Sequence, residues 1–215
     1  MTDKKNINIL PKVGEGIYTA RDISNILNLP YSKVSYWMRE FWDGYTFGIK
    51  GNKAINFYTL IEFYTFYHLR ELKVSAQEIK KAHAKISEDL KTLYPFARKI
   101  HTDGKKGIWY EYLENLIKAD NKKQFSLKPI LAPFLSKIEF NGDDIAAKYF
   151  PTEAKKVVID PKLQFGQPTI IGTSIKAEII NGFIEGGESK EAICMLYNLH
   201  IDQVEDAILY FKRSA

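Results

Sequence analysis

Residues 18–27 read Tyr-Thr-Ala-Arg-Asp-Ile-Ser-Asn-Ile-Leu, and this stretch decides the fold predicted for the N-terminal part of the chain. Thr19 is a good N-cap, and Asp22 follows three residues later, where its carboxylate can return a hydrogen bond. Apolar residues then recur at helical spacing (Ile23, Ile26 and Leu27). Asn28-Leu29-Pro30 ends this helix, and Ser32 is predicted to cap a second helix over residues 33–41. Two short helices in this order predict a helix-turn-helix.

The next residues predict a β-hairpin wing and two longer helices. Residues 45–57 are aromatic and β-branched around a basic tip, where Gly51-Asn52 can form a tight turn. An aromatic helix is predicted over residues 58–72, and a capping box of Ser75 with Glu78 predicts another that extends to residue 93. Because aromatic side chains surround most of the helix over 58–72, we expect it to be buried between domains or across a homodimer.

The remainder of the chain predicts a connector and a small three-helix domain. Residues 94–150 are interrupted by Pro and Gly and predict a mixed connector with a strand at 107–112. Residues 156–161 and 165–173 predict two short strands. Three helices are predicted over 176–185, 190–197 and 203–211, the second capped by Ser189 and the third opened by a capping box of Asp202 with Glu205. The sequence therefore predicts a mainly α protein with small β elements, in three segments: 1–93, 94–150 and 151–215.

Composition and charge restrict the class of protein. The chain has 215 residues, 45% hydrophobic and 27% charged, which is typical of a globular protein. Basic side chains outnumber acidic ones by 14 to 10 in residues 1–91 and by 10 to 7 in residues 92–150, whereas acidic ones lead by 9 to 7 in residues 151–215. A basic N-terminal part favours a polyanionic partner. The sequence contains no apolar run of about 18–20 residues and no secretory signal, so we expect a cytoplasmic protein without a membrane contact.

The second predicted helix carries the candidate DNA-binding residues. In a winged helix-turn-helix this helix enters the major groove, while the first helix and the wing contact phosphates. The candidates are Arg21 on the first helix, Ser32, Lys33, Ser35, Tyr36 and Arg39 on the second, and Lys50 and Lys53 on the wing. The alternative is a solvated basic face on a protein-interaction bundle.

The N-terminal pattern resembles a known class of DNA-binding domain. Tyr18-Thr19-Ala20-Arg21-Asp22-Ile23, Val34-Ser35-Tyr36-Trp37 and the hairpin at Gly51-Asn52-Lys53 resemble the winged helix-turn-helix of the MerR class. Ser35 stands where that class commonly has Arg, so no base preference is carried over.

The C-terminal segment contains a second recognisable pattern, made of Val158-Ile159-Asp160-Pro161, Phe165-Gly166-Gln167-Pro168-Thr169-Ile170, Gly172-Thr173, Gly186-Gly187-Glu188-Ser189 and Val204-Glu205-Asp206-Ala207-Ile208. This pattern is similar to the VapB-type antitoxin family, long known only as a domain of unknown function. It implies a trihelical, homeodomain-like domain preceded by two short strands. It also implies an antitoxin whose partner is a PIN-like ribonuclease toxin with carboxylates that hold Mg²⁺. By residue type, the candidates for entering that acidic site are Lys176, Lys190, Lys212 and Arg213.

Enzymatic interpretations have little support in the sequence. His101 with Asp103, and Asp143 with Asp144, could be imagined as acid–base or metal sites, but solvated charge is the commoner origin of such pairs. Cys194 lies on an apolar helix face and is expected to be an inert thiol. We therefore expect no catalytic residues, no metal site and no cofactor.

Two hypotheses remain beside the antitoxin. One is an effector-responsive transcription regulator of the MerR type without a toxin partner, in which the connector and C-terminal segment form a ligand pocket. The other is a protein-interaction adaptor, which predicts no salt-dependent DNA binding. The antitoxin hypothesis itself predicts that the N-terminal segment binds operator DNA and represses transcription, while the C-terminal segment binds the toxin or forms a dimer.

Overall fold

The computed structural model describes residues 11–49, 51–99 and 134–213. Its α-helices are α1 (Ala20–Leu27), α2 (Tyr31–Glu40), α3 (Phe57–Glu71), α4 (Ala76–Asp89), α5 (Ala177–Glu185), α6 (Lys190–Tyr197) and α7 (Ile201–Lys212). Its strands are β1 (Tyr18–Thr19), β2 (Phe47–Ile49), β3 (Asn52–Ile55), β4 (Ile138–Phe140), β5 (Ala146–Tyr149), β6 (Val157–Val158) and β7 (Thr169–Ile170). The strands form small sheets in the orders β1-β3-β2, β4-β5 and β6-β7. The predicted mainly α fold with small β elements is confirmed.

The chain packs as two compact units. The first unit joins residues 1–60 with residues 148–215, and the second comprises residues 61–147. This grouping differs from the three consecutive segments inferred from the sequence, whose division by function stays a prediction.

The first helix pair forms for local reasons. The Thr19 hydroxyl accepts from the Asp22 amide at 3.3 Å, and Asp22 Oδ2 accepts from the Thr19 amide at 2.8 Å, which confirms the predicted capping box. Asn28 adopts the left-handed conformation that ends α1 (φ 53°). The predicted start of the second helix is wrong, because α2 begins at Tyr31 with Pro30 as N-cap and no side-chain cap. Proline has no backbone N–H that would need a partner, which suits Pro30 to the start of a helix. Ser32 therefore lies inside the first turn and does not cap the helix.

The hairpin after α2 has the predicted position and a different turn. In β2 and β3, Phe47 pairs with Ala54 and Ile49 with Asn52, in antiparallel register. Asn52 is therefore the first residue of β3. The sequence-based prediction that it lies in the turn is wrong. Gly51 supplies the positive φ of the turn (91°), which a residue with a side chain adopts at a cost.

The aromatic helix α3 is covered by its own chain. The fully buried apolar side chains along it are Phe57, Leu60, Ile61, Phe63, Phe66 and Leu69. Intramolecular packing thus accounts for most of its apolar surface, and its composition alone no longer argues for a second copy.

The second unit is organised around a buried carboxylate. Glu62 Oε1 accepts from the amides of Phe96 and Ala97 at 2.8 and 3.2 Å, and Glu62 Oε2 lies 3.0 Å from His83 Nε2 on α4. The capping box of Ser75 with Glu78 opens α4 as predicted, but the helix ends at Asp89, four residues earlier than expected. A buried polar group needs such partners, so Glu62 fixes the turn at residues 95–97 against α4.

The C-terminal helices pack on the β6–β7 pair. Their shared core consists of Val157, Ile170, Ala177, Ile180, Ile193, Leu199, Val204, Ala207 and Tyr210. Asp206 on α7 is 2% exposed, and its Oδ2 accepts from the amides of Lys156 and Val157 at 2.8 and 2.9 Å and from the Thr152 hydroxyl. This carboxylate therefore holds Thr152 and the residues at the start of β6 against α7.

The predicted caps of these helices are confirmed in one case and wrong in another. Ser189 caps α6, where its hydroxyl accepts from the Ala192 amide at 3.1 Å. The capping box predicted for α7 is wrong, because the helix begins earlier and the His200 amide donates to Gln203 Oε1 at 2.9 Å. Asp202 instead pairs with Lys156, and Glu205 with Lys190, each at 2.8 Å.

Contacts within the first unit join its N-terminal and C-terminal parts. The Ile17 amide donates to the Phe165 carbonyl at 3.0 Å, and the fully buried Tyr18 ring lies against Gly166. Burial, reinforced by Asp160 and Asp22, raises the pKa of the Tyr18 hydroxyl well above its usual value. Arg213 at the end of α7 donates to the Ile26 carbonyl at 3.3 Å. Residues 17–26 and residues 165–213 therefore belong to one packed body.

Several sequence predictions fall outside the described residues. These are the strand at 107–112, the pair His101 and Asp103, and the wing residue Lys50.

Candidate nucleic-acid interface

Helix α2 has one buried and one exposed side, and the candidate residues lie mainly on the exposed side. Val34, Trp37 and Met38 are buried at helical spacing. The exposed side chains are Tyr31, Ser32, Tyr36, Arg39 and the acidic Glu40, while Lys33 and Ser35 are half-buried. Because the buried residues recur every 3.6 positions, the hydroxyl, aromatic and cationic groups lie together on the opposite, accessible side of the helix. We call this side the α2 face.

Aromatic rings hold the cations of the α2 face in place. The Arg21 guanidinium lies 5.1 Å from the centroid of Tyr31, and that of Arg39 lies 5.7 Å from the centroid of Tyr36. These distances fit cation–π contacts. Arg39 Nε also donates to Glu40 Oε1 at 2.9 Å, in an exposed ion pair that a phosphate can replace at small cost. Tyr31 was missed by the sequence analysis, although its position one turn after α1 was a usable signal.

Two other candidate cations have intramolecular contacts. Lys33 Nζ lies 5.0 Å from the ring centroid of the buried Trp37. Lys53 on the hairpin forms an ion pair with Asp43, and both side chains are nearly half exposed. Exposed ion pairs contribute little to stability, so the Lys53 ammonium can exchange this carboxylate for a phosphate at small cost.

The four basic candidates for toxin contact have different surroundings. Lys176 is the N-cap residue of α5, and Lys212 is exposed at the end of α7. Lys190 pairs with Glu205 at 2.8 Å. Arg213 donates to the Pro151 carbonyl at 2.5 Å and lies 4.8 Å from the Tyr210 ring centroid. Arg213 thus has a structural role, since it ties the end of α7 to two other segments.

The C-terminal helices expose apolar side chains that the sequence analysis did not single out. Met195 and Leu196 on α6 are 80% and 65% exposed, and Ile201 and Leu209 on α7 are 45% and 50% exposed. Exposed apolar side chains that form a contiguous patch are typical of protein contact surfaces. We call these four residues the α6–α7 surface. The helical register of α6, in which Ile193 is buried, could have revealed them.

The other functional candidates can be placed as well. Cys194 is half-buried on α6 and forms no disulfide. Asp143 and Asp144 lie in the turn between β4 and β5. Within residues 11–49, 51–99 and 134–213, no three His, Cys, Asp or Glu side chains are grouped to hold a metal ion. None of the helices in these ranges is long and apolar enough to cross a membrane.

Comparison with known proteins locates a family match at the C-terminal end of the chain. Residues 157–211 match the family described as "Protein of unknown function (DUF433)". The matched segment begins at β6 and includes α5, α6 and nearly all of α7. It also contains Gly166, which contacts Tyr18, and Asp206, which fixes the start of β6.

Two relatives from Mycobacterium tuberculosis (strain ATCC 25618 / H37Rv) share parts of the sequence. "Uncharacterized protein Rv2308" is 36% identical over 66 residues, which are 31% of this chain and 26% of that protein. A second protein, named "Putative antitoxin VapB45", is 29% identical over 87 residues, which are 40% of this chain and 36% of that protein. The chain thus spans between about a quarter and about a third of these relatives.

A solved structure has a similar fold over most of the chain. The crystal structure of Rv2018 from Mycobacterium tuberculosis superposes with a TM-score of 0.69 and covers 89% of this chain and 96% of that one, at 22% identity. At this identity, the likeness concerns the fold.

Proposed function

We propose that this chain is an antitoxin that binds operator DNA and neutralises a PIN-like ribonuclease toxin from the same operon. The observation that carries the proposal is the α2 face, which lies in one packed unit with the segment that matches the family. Such a unit can hold DNA through one surface and a protein through another, and so couple neutralisation to transcription.

The DNA-binding part of the proposal follows from the geometry of α1, α2 and the hairpin. In a winged helix-turn-helix of the MerR type, α2 enters the major groove, which is wide enough for a helix and presents a distinct pattern for each base pair. Ser32, Ser35 and Tyr36 would then face base edges or phosphates. Arg21, Lys33 and Arg39 would neutralise phosphates, together with Lys53 and Lys50 of the wing.

The toxin-binding part is supported by the antitoxin name of the second relative and by the α6–α7 surface. Because Lys190 and Arg213 already have partners, we propose that the toxin docks mainly on exposed apolar side chains, with Lys176 and Lys212 at the rim. Apolar anchors surrounded by polar residues are the usual composition of protein interfaces. We further propose that the antitoxin is a homodimer, because paired helix-turn-helix units recognise paired half-sites. We also propose that it is cytoplasmic and has no catalytic activity.

A salt-dependent binding experiment tests the DNA contact. Fluorescence anisotropy would follow the full-length protein on a labelled fragment of its own promoter between 50 and 200 mM salt, the range in which phosphate contacts dominate. Replacing Lys33 and Arg39 by Ala should lower affinity and reduce the slope of log K against log[salt] by about 2. The control, Lys80→Ala with Lys81→Ala, makes the same charge change on exposed positions of α4. Equal losses in both double variants would contradict the proposed interface.

Co-expression tests the toxin contact. Each gene adjacent to this one would be expressed with and without the antitoxin, and growth would be scored. We expect rescue by the natural protein and by the Lys33→Ala/Arg39→Ala variant, but not by Met195→Glu with Leu196→Glu. Full rescue by the last variant would remove α6 from the toxin interface, and the absence of any toxic neighbour would overturn the antitoxin assignment.

An effector-responsive transcription regulator without a toxin is the second candidate function. It is favoured by an open cleft lined by residues of α1, α5 and α7, between the two parts of the first unit. A ligand bound there would contact the helix that supports α2.

A further inference from the structure

Arg21 on α1 has an aromatic ring, and no acidic side chain, as its partner. Its guanidinium carbon lies 5.1 Å from the ring centroid of Tyr31, and the structure records no hydrogen bond and no ion pair of this side chain within the described residues. By contrast, Arg39 pairs with Glu40 at 2.9 Å, and Lys53 pairs with an aspartate. An aromatic ring attracts a guanidinium without neutralising its charge. Arg21 therefore keeps its full positive charge for an external anion.

The turn between α1 and α2 fixes the place of Tyr31. The Ser24 hydroxyl donates to the Leu29 carbonyl at 2.6 Å, and the Leu29 amide donates to the Ser24 carbonyl at 3.0 Å. Leu29 is 6% exposed, and Pro30, whose ring restricts φ, follows it at the N-cap of α2. Tyr31 is the first residue of α2, so contacts that do not involve Arg21 place its backbone beside α1.

The contact of Arg21 with Tyr31 lies outside the core of the helix pair. Tyr31 is 50% exposed and Arg21 is also exposed, whereas apolar side chains of both helices, such as Ile26 and Val34, are buried. The two helices therefore do not need this contact for their core. A role outside stability is open to it.

Holding an arginine in place favours its later binding to an anion. A mobile Arg side chain loses conformational entropy when a phosphate fixes its guanidinium. A guanidinium that a ring already holds loses less of this entropy, so the same contact is tighter. An exposed cation–π contact corresponds to a change in affinity of about two- to fivefold.

The position of Arg21 on α1 indicates which part of DNA it contacts. In a helix-turn-helix, the first helix crosses the DNA backbone while the second enters the major groove. A side chain on α1 therefore meets phosphates, which position the protein and carry no sequence information.

From this geometry we propose that Tyr31 is a positioning residue, whose ring holds the Arg21 guanidinium in place for a backbone phosphate of the DNA. The ring is the active part, and the hydroxyl of Tyr31 is not required. This inference rests on the proposed DNA contact and adds to it a residue that is neither a base reader nor a cation.

A double-mutant cycle on the full-length protein tests the proposal, with fluorescence anisotropy on a labelled fragment of its own promoter between 50 and 200 mM salt. Arg21→Ala should weaken binding and reduce the slope of log K against log[salt] by about 1, because one phosphate contact is lost. Tyr31→Leu should raise Kd by about two- to fivefold when Arg21 is present, and should add nothing to Arg21→Ala. Tyr31→Phe, which keeps the ring, should restore the affinity that Tyr31→Leu loses.

The matched control is Tyr36→Leu, the same change on the same helix. Since the Tyr36 ring lies beside Arg39 and not Arg21, its effect should add to that of Arg21→Ala. An equal loss from Tyr31→Leu with and without Arg21 would give Tyr31 a separate role and overturn the proposal. Failure of Tyr31→Phe to restore affinity would assign the effect to the hydroxyl and overturn it as well.

Proton NMR of the protein without DNA examines the contact separately. The ring current of residue 31 should shift the side-chain proton signals of Arg21 in the natural protein and in Tyr31→Phe, and not in Tyr31→Leu; identical signals in all three would overturn the proposal. Without salt-dependent binding by the natural protein, the proposed function and this inference fail together, whereas normal binding with an additive cycle refutes this inference alone. Thermal unfolding shows whether each variant is intact, and Tyr31→Gln replaces Tyr31→Leu under the same criteria if the latter does not fold.

Discussion

Replacing Asp206 by Ala should destabilise the C-terminal part of the first unit severely. Asp206 Oδ2 accepts from two backbone amides and one hydroxyl, and the side chain is 2% exposed. A hydrogen bond to a charged group contributes about 1.5–3 kcal/mol, and removing the acceptor leaves donors buried without a partner. Because the three bonds share one oxygen and are not additive, we expect a loss of about 3–5 kcal/mol in the free energy of unfolding.

Urea unfolding of the full-length protein, followed by circular dichroism, measures this loss, and hydrogen exchange at the amides of Lys156 and Val157 localises it. Asp202→Ala is the matched control, because it removes the same side chain one turn earlier on α7, where the carboxylate is exposed and pairs with the Lys156 ammonium. Exposed ion pairs of this kind contribute little. If Asp206→Ala cost less than about 1 kcal/mol and the two amides stayed protected, the argument that this carboxylate fixes β6 would be refuted.

Two further changes probe packing and pH dependence. Gly166→Ala should lower the free energy of unfolding by about 2–4 kcal/mol, since φ is 85° and the new Cβ would lie 2.6 Å from Cζ of Tyr18. The control Gly172→Ala has a similar φ of 77° with open space around it and should cost less. Equal losses of the two variants in urea unfolding would contradict a packing role for Gly166. Burial, followed by the charge of Lys137, lowers the pKa of His68 from 6.5 to about 4, so the folded state resists a proton that the unfolded state accepts. Stability should therefore fall between pH 6.5 and 4, by about 1 kcal/mol at pH 5 for a partly exposed group, and this part of the pH dependence should disappear in His68→Gln. Identical pH profiles of the natural protein and the variant would exclude His68 as its source.

The local signals of the sequence predicted the helices well. The boxes of Thr19 with Asp22 and of Ser75 with Glu78 involve residues three apart, and both form as expected. The box predicted at Asp202 failed because His200 with Gln203 satisfies the same local pattern two residues earlier. The Asp202 carboxylate pairs instead with Lys156, which lies far away in the sequence.

The candidate site was predictable to a similar extent. The spacing of Val34, Trp37 and Met38 placed the core side of α2, and the opposite side followed from the helical repeat. The partners of the cations did not follow, because the contact of Arg21 with Tyr31 depends on how α1 and α2 pack. Nor did the cleft, whose residues come from α1 and, more than a hundred positions later, from α5 and α7.

The sequence by itself determined which helices form and which side of each is apolar, because caps and the 3.6-residue repeat act over a few neighbouring residues. Only the tertiary structure decided that residues near both ends of the chain form one body. Tyr18 meets Gly166, and Arg213 meets the Ile26 carbonyl, across separations that no local pattern encodes. The physical reason is that burial and hydrogen-bond satisfaction depend on which surfaces meet in space, and this pairing exists only once the chain has folded.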